Sequence, residues 1–408
     1  MTAPKLTHLP DVLEEHFEEL QFLWGRRPAA LRSPAHTART LAELDERIAA
    51  RLQGLLAQGE HTLPLLEAGL AGDDPMAVFA AAFTLLHLGG EPALGRVREA
   101  LAGAEGPRLE ALRQAVCAGP AGALLPSLEA LVRMAAPPVA VAAAEAVAVQ
   151  AGVAPEAARL ERFLHDDDPA VRTGAWRIVA NVAPPLEART YAAGLRDEPP
   201  VRRAAIDAAM WTGQPGIVDV ARRAAEAPAP ENLDLLHVLA VLGGPAELPR
   251  IAAVARATAL GPARFALLGA YGHPALVDLL LTELLNPDPV VAAAAGAAFT
   301  RMTGADIDSG QRATAPPPDG VEPDAFEAEF AEEVALPDPE RARRHWAAVC
   351  EGLAQASRIC AGHDLARPLD AEAAARLDLE SRWEMYLRAR FAGAWRGSPR
   401  DLEHFPQR

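Results

Sequence analysis

Asp167–Val182 reads DDPAVRTGAWRIVANV, and Asp73–Gly90 reads DDPMAVFAAAFTLLHLGG. Both run as an acidic residue, a proline, an apolar stretch rich in small residues, and a stop. The phrase returns as DEPPVRRAAIDAAMWTG from Asp197 and as PDPVVAAAAGAAFTRMTG from Pro287. Weaker copies start at Gly106, Pro137, Ala229 and Gly261. The anchoring prolines are Pro75, Pro107, Pro138, Pro169, Pro200, Pro230, Pro262 and Pro289, about 31 residues apart, a period that marks a repeat architecture.

Each repeat predicts two helices. The first ends just before the anchor, as in LPLLEAGLAG before Asp73. The second starts at the anchor, where an aspartate accepts orphan backbone N–H bonds and proline fits the first turn at no cost. Glycine then closes the helix, as at Gly152, Gly272 and Gly304. One such pair cannot bury its apolar stripe alone, so stacked pairs form an α-solenoid. The expected fold is therefore all-α, with about eight two-helix repeats over residues 61–304.

The flanks depart from the repeat. Residues 1–60 predict an N-terminal helical cap. Its first helix runs from Leu9 to Trp24, and a proline-broken linker spans Arg27 to Ala38. A second helix starts at Thr40, with Thr40 and Glu43 at capping-box spacing. Residues 305–340 hold eleven acidic residues and one basic residue, Arg312, which predicts a solvated acidic, Pro-rich linker with a short helix near Phe326 to Val334. Residues 341–408 form an Arg-rich C-terminal segment, with helices expected over Pro339–Cys360 and Asp370–Trp395.

Composition narrows the function. The 408 residues carry 39 basic and 55 acidic side chains, a net charge of −16, which opposes general affinity for nucleic acid or an anionic membrane. Three cysteines cannot build a disulfide framework. The start of the chain has no apolar signal region and no long uncharged apolar window follows, so a cytoplasmic protein is expected.

The repeats resemble the HEAT class in its short form of about 30 residues, as found in phycobilin lyases. The terminal blocks HFEELQFLWGRR (16–27), LAELDERIAARLQGL (41–55), LPDPERARRHW (336–346) and RWEMYLRARF (382–391) are similar to a proteobacterial HEAT-repeat family with no assigned activity. That family often sits in type VI secretion gene neighbourhoods. The resemblance implies a secretion-linked partner and transfers no catalytic residue. The chain departs from the family at Ile359, where an aromatic is usual.

Candidate chemistry is thin. The run His165-Asp166-Asp167-Asp168 is ligand-like, but it sits at a repeat anchor where aspartate caps a helix. His345, Cys350, Cys360 and His363 lack the paired spacing of a structural zinc site. No phosphate loop, HExxH or nucleophile-elbow motif occurs, so no cofactor, no metal and no catalytic residue are expected. What remains is recognition by shape. Trp176, Arg177, Asn181, Met210 and Trp211 fall on the second helices of two consecutive repeats, and Trp and Arg are frequent interface hot spots. The sequence thus predicts a non-enzymatic scaffold or adaptor with a protein partner. The competing class is an enzyme on the same scaffold, a DNA glycosylase or a chromophore lyase, which would need a basic concave pocket holding a buried carboxylate.

Overall fold

Helices begin where the anchors sit. The computed structural model describes residues 10–315 and 333–406. After α1 (Pro10–Ala30) and α2 (Ala38–Ala57) come eight pairs in chain order. They are α3 (Leu63–Ala71) with α4 (Pro75–Leu88), α5 (Gly90–Ala102) with α6 (Gly106–Ala118), α7 (Leu125–Met134) with α8 (Pro137–Ala151), and α9 (Ala157–Leu164) with α10 (Pro169–Val182). There follow α11 (Ala188–Gly194) with α12 (Pro199–Trp211), α13 (Gly216–Ala224) with α14 (Leu233–Leu242), α15 (Leu248–Val254) with α16 (Ala263–Tyr271), and α17 (Val277–Glu283) with α18 (Pro289–Thr303). The chain is an all-α repeat protein. The anchor chemistry is as expected: Asp74, Asp168 and Asp288 accept the amides of Met76, Ala170 and Val290 at 3.0, 2.8 and 2.9 Å.

Two units divide the chain, Met1–Gln214 with Asp378–Arg408, and Pro215–Leu377. The division falls inside the predicted 61–304 array and again inside the predicted 341–408 segment. In the first unit the second helices α4, α6, α8, α10 and α12 pack each on the next, and α1 packs on α2 and α4. Small residues permit this close stacking: Ala140, Ala143, Ala144 and Ala146 of α8 are all buried. The helix Leu379–Phe391 packs on α12, and the short helix Pro399–Glu403 reaches α10.

In the second unit α14, α16 and α18 stack in the same way. Residues 358–362 seal the ends of two of these helices. Ile359 N donates to Gly272 O at 2.6 Å, and Ala361 N to Arg301 O at 2.7 Å. Gly272 and Gly304 end α16 and α18 in the left-handed conformation. A Cβ there would stand 2.5 Å from Ile359 O and 2.8 Å from Ala361 O, so glycine is required on both counts. Arg358 donates to the carbonyls of Ala240, Ala270 and Gly243 at 3.0, 2.8 and 2.8 Å, gathering two helix ends under one guanidinium.

Several boundaries differ from expectation. Helix α1 continues through Pro28 to Ala30, because Arg27 is buried and holds Asp45 of α2. Thr37, not Thr40, caps α2; Thr40 is the third helical residue and its hydroxyl accepts Thr37 N at 2.9 Å. The acidic stretch is not wholly extended linker, since Asp308–Thr314 pairs antiparallel with Glu333–Pro337. Most of the predicted helix near Phe326 to Val334 lies outside the described residues, and its last two residues belong to that strand. The helix expected over Asp370–Trp395 breaks at Leu377-Asp378, where Asp378 caps a new helix by accepting Ser381 N at 2.7 Å. Among the described residues no single helix is long and apolar enough to cross a membrane.

Candidate functional site

Four of the second helices of the first unit, α6, α8, α10 and α12, each carry a charged residue at nearly the same turn. Arg113 lies on α6, Glu145 on α8, Arg177 on α10 and Asp207 on α12. Signs alternate along this ladder. Arg113 donates to Glu145 Oε1 at 2.6 Å and forks onto Glu110 at 2.5 and 2.8 Å. Arg177 Nε lies 3.2 Å from Glu145 Oε2. Glu145 is 4% exposed, so two guanidiniums compensate a carboxylate removed from water.

The electrostatics follow from this packing. Burial would raise the Glu110 carboxyl, but its bonds to Arg113 and Gln114 and the charges of Arg113 and Arg177 hold it down at about 2. Burial would lower the Arg113 guanidinium, and Glu145 and Glu110 more than offset this. Burial, reinforced by Glu145, pushes the Cys117 thiol up to about 12. Burial also raises Asp207, against the pull of Arg32.

A cavity of about 360 Å³ opens beside the ladder. Its wall includes Trp24, Arg27, Arg32, Arg113, Gln114, Cys117, Glu145, Gln150 and Asn181. Gln150 fixes one edge by donating to the carbonyls of Val116, Cys117 and Gly119 at 2.8, 3.2 and 3.0 Å, which ends α6 against α8. Residues Arg400, Glu403, His404 and Phe405 complete the wall from the other end of the chain. Arg27 makes the link. Its Nε and one terminal nitrogen hold Asp45 at 2.7 and 3.2 Å, while its terminal nitrogens donate to the backbone carbonyls of Glu403 and His404 at 2.9 and 3.1 Å. Phe405 is 3% exposed, with its ring edge-on to Trp24 at 5.9 Å and to Phe83 at 5.7 Å.

Of the five residues singled out from the sequence, two belong here. Asn181 lines the cavity, and Arg177 lines an adjoining cleft that shares Arg113 and Glu145. Trp176, Met210 and Trp211 do not. They are 2, 6 and 0% exposed and fill the core, which corrects the expectation that they form a docking face. The Trp176 ring turns toward Tyr191 of the neighbouring first helix, with centroids 5.3 Å apart. Trp211 packs edge-on against Trp383 at 5.7 Å. A large apolar ring on the second helix of a repeat gains more from inter-helix burial than from solvent. The groove residues Arg27, Arg113, Glu145 and Phe405 were not singled out. Reading the same helical turn in every repeat would have found the ladder; nothing local marks Phe405.

The ligand-like run at 165–168 caps α10, with Asp166 Oδ1 accepting Asp168 N at 3.0 Å. Cys360 and His363 face each other across a two-stranded turn, and among the described residues no three His, Cys, Asp or Glu side chains form a metal-binding group.

No family model matches the chain, and no curated protein matches it. Among solved structures, Escherichia coli YibA is similar at 13% identity, over 73% of this chain and 99% of that one, with a TM-score of 0.32. A likeness that weak carries no argument for fold or function.

Proposed function

We propose that this chain is a non-enzymatic scaffold that recognises a protein partner through the groove of its first unit. The observation that carries the reading is Arg27. A buried guanidinium that spends two donors on backbone carbonyls is a device for holding a peptide irrespective of its sequence. Around it lie an aromatic pocket for one anchor side chain and a wall of amides and paired charges. Large aromatic anchors in desolvated pockets supply most of the energy of protein recognition. The resemblance to a secretion-associated family adds the proposal that the partner belongs to such a system.

Capture from a host lysate tests the reading if it is run with groove variants. Arg32→Glu and Asn181→Trp alter the cavity wall, whereas Arg133→Glu lies on a different cleft. Loss of a captured protein with the first two and retention with the third supports groove recognition. Equal capture by all four chains refutes it.

A second reading has one observation in its favour: Glu145 is a buried carboxylate in a concave, arginine-lined pocket, as a base-excising enzyme on this scaffold would need. Two arginines already neutralise it, and Glu110, Asp207 and Glu403 oppose a phosphate backbone. Base release from alkylated DNA that disappears in Glu145→Gln would establish the enzyme and displace the scaffold.

A further inference from the structure

We propose that Ser398–Phe405 is an internal ligand of the groove, and that the partner displaces it with a peptide carrying an aromatic anchor. This rests on the groove reading above and names the chemistry of its ligand.

Two anchors hold the segment, Pro399 and Phe405, both buried. Between them Arg27 grips the main chain, through the carbonyls of Glu403 and His404, and side chains contribute little. Glu403 reaches Arg32 only at 3.4 Å, and each side chain is 47% exposed. Asp401 accepts Ser398 N at 2.6 Å, a bond internal to the segment. Recognition is thus concentrated in the Phe405 ring and in two main-chain carbonyls, neither of which is unique to this stretch of sequence.

The segment also fits incompletely. It leaves the cavity of about 360 Å³ beside it. Trp24, 5% exposed and on the cavity wall, has no hydrogen-bond partner for its indole N–H among the described residues. The side-chain oxygen of Asn181 on the same wall is likewise without one. Buried polar atoms left unpaired favour any occupant that can pair them. The groove therefore accommodates a better ligand than the one it holds, which is what a displaceable internal competitor requires.

The test uses the full chain and a fluorescein-labelled peptide, GSPRDLEHFPQR, the sequence of residues 397–408. Fluorescence anisotropy should show weak binding to the native chain. Binding should tighten by ~10-fold or more in the full chain carrying Phe405→Ala, because the competent open state is then populated. The peptide with alanine in place of its phenylalanine should lose ~30-fold, the size of an anchor hot spot. Full-chain Phe405→Leu keeps an apolar plug and guards against misfolding of the alanine variant. It should tighten binding of the labelled peptide, but less than Phe405→Ala does. Equal binding to native and Phe405→Ala chains overturns the inference yet leaves groove-dependent capture standing. So does no peptide binding to either chain. A concentration-dependent dimer that Phe405→Ala abolishes would make the occupant a second copy and overturn the partner as proposed.

Discussion

Trp176 and Gly194 form a matched pair, and the match has a measurable size. Gly194 ends α11 directly opposite the indole. A Cβ added there would stand 2.5 Å from Trp176 Cζ2 and 2.8 Å from the Ala205 methyl. No real Cβ is tolerated at such distances, so Gly194→Ala must push the ring or the helix and should cost ~1–3 kcal/mol. Trp176→Ala removes a ring that is 2% exposed and should cost ~3–5 kcal/mol in transfer and cavity terms. The double variant decides the reasoning. With the ring gone, the new methyl meets a void on that side, and only Ala205 still crowds it. The two losses should therefore fall short of additivity by ~1 kcal/mol or more. The helix-propensity gain of alanine over glycine is common to both backgrounds and cancels in the cycle. Urea unfolding followed by far-ultraviolet circular dichroism gives the four free energies. A cost below ~1 kcal/mol for Trp176→Ala, or additivity within ~0.3–0.5 kcal/mol, would refute the placement of this ring in the core.

The remaining predictions concern the ladder and the clamps. Cys117, with its thiol pushed up to about 12, should react with iodoacetamide more slowly at pH 8 in the folded chain than in urea; equal labelling rates would contradict the raised thiol. Gln150→Ala strips a donor from three carbonyls at the end of α6 and should cost ~1–3 kcal/mol by urea unfolding, while Gln150→Glu should do no better. Arg358→Lys cannot span the carbonyls of Ala240, Gly243 and Ala270 at once, so in the second unit it should destabilise nearly as much as Arg358→Ala. Glu110 has its carboxyl held at about 2 against 4.5 in the ordinary group, so its stabilisation is present above pH 4.5 and lost as pH falls toward 2. Acid titrations of Glu110→Gln should accordingly show a shallower loss of stability over that window.

The repeats were legible because they are local. Asp168, Pro169 and the small residues that follow specify cap, first turn and close packing within a few positions. The helix starts at Pro75, Pro169 and Pro289 coincide with their anchors. Boundaries shifted where a distant partner decides the outcome. Nothing near Pro28 says that Arg27 will be buried on Asp45 and Glu403 and so hold the helix open past a proline. The groove was illegible for the same reason, since its wall joins residues near 27, 113 and 145 to residues near 403. Trp176 and Trp211 misled because amphipathic spacing places a residue on a helix but does not say which of two buried neighbours it faces.

Arg27 and Glu403 are 376 positions apart in the chain, and this separation has a consequence in time. A ribosome adding ~5–20 residues per second needs on the order of 20–75 s to travel between them. For most of that interval Trp24, Phe79 and Phe83 have been made while their plug, Phe405, does not yet exist. Any peptide bearing the right ring meets an uncontested pocket on the nascent chain, and it meets a rival only once synthesis has passed that phenylalanine. A partner made nearby at the same moment would engage before competition begins, while one that arrives later must first evict the resident segment.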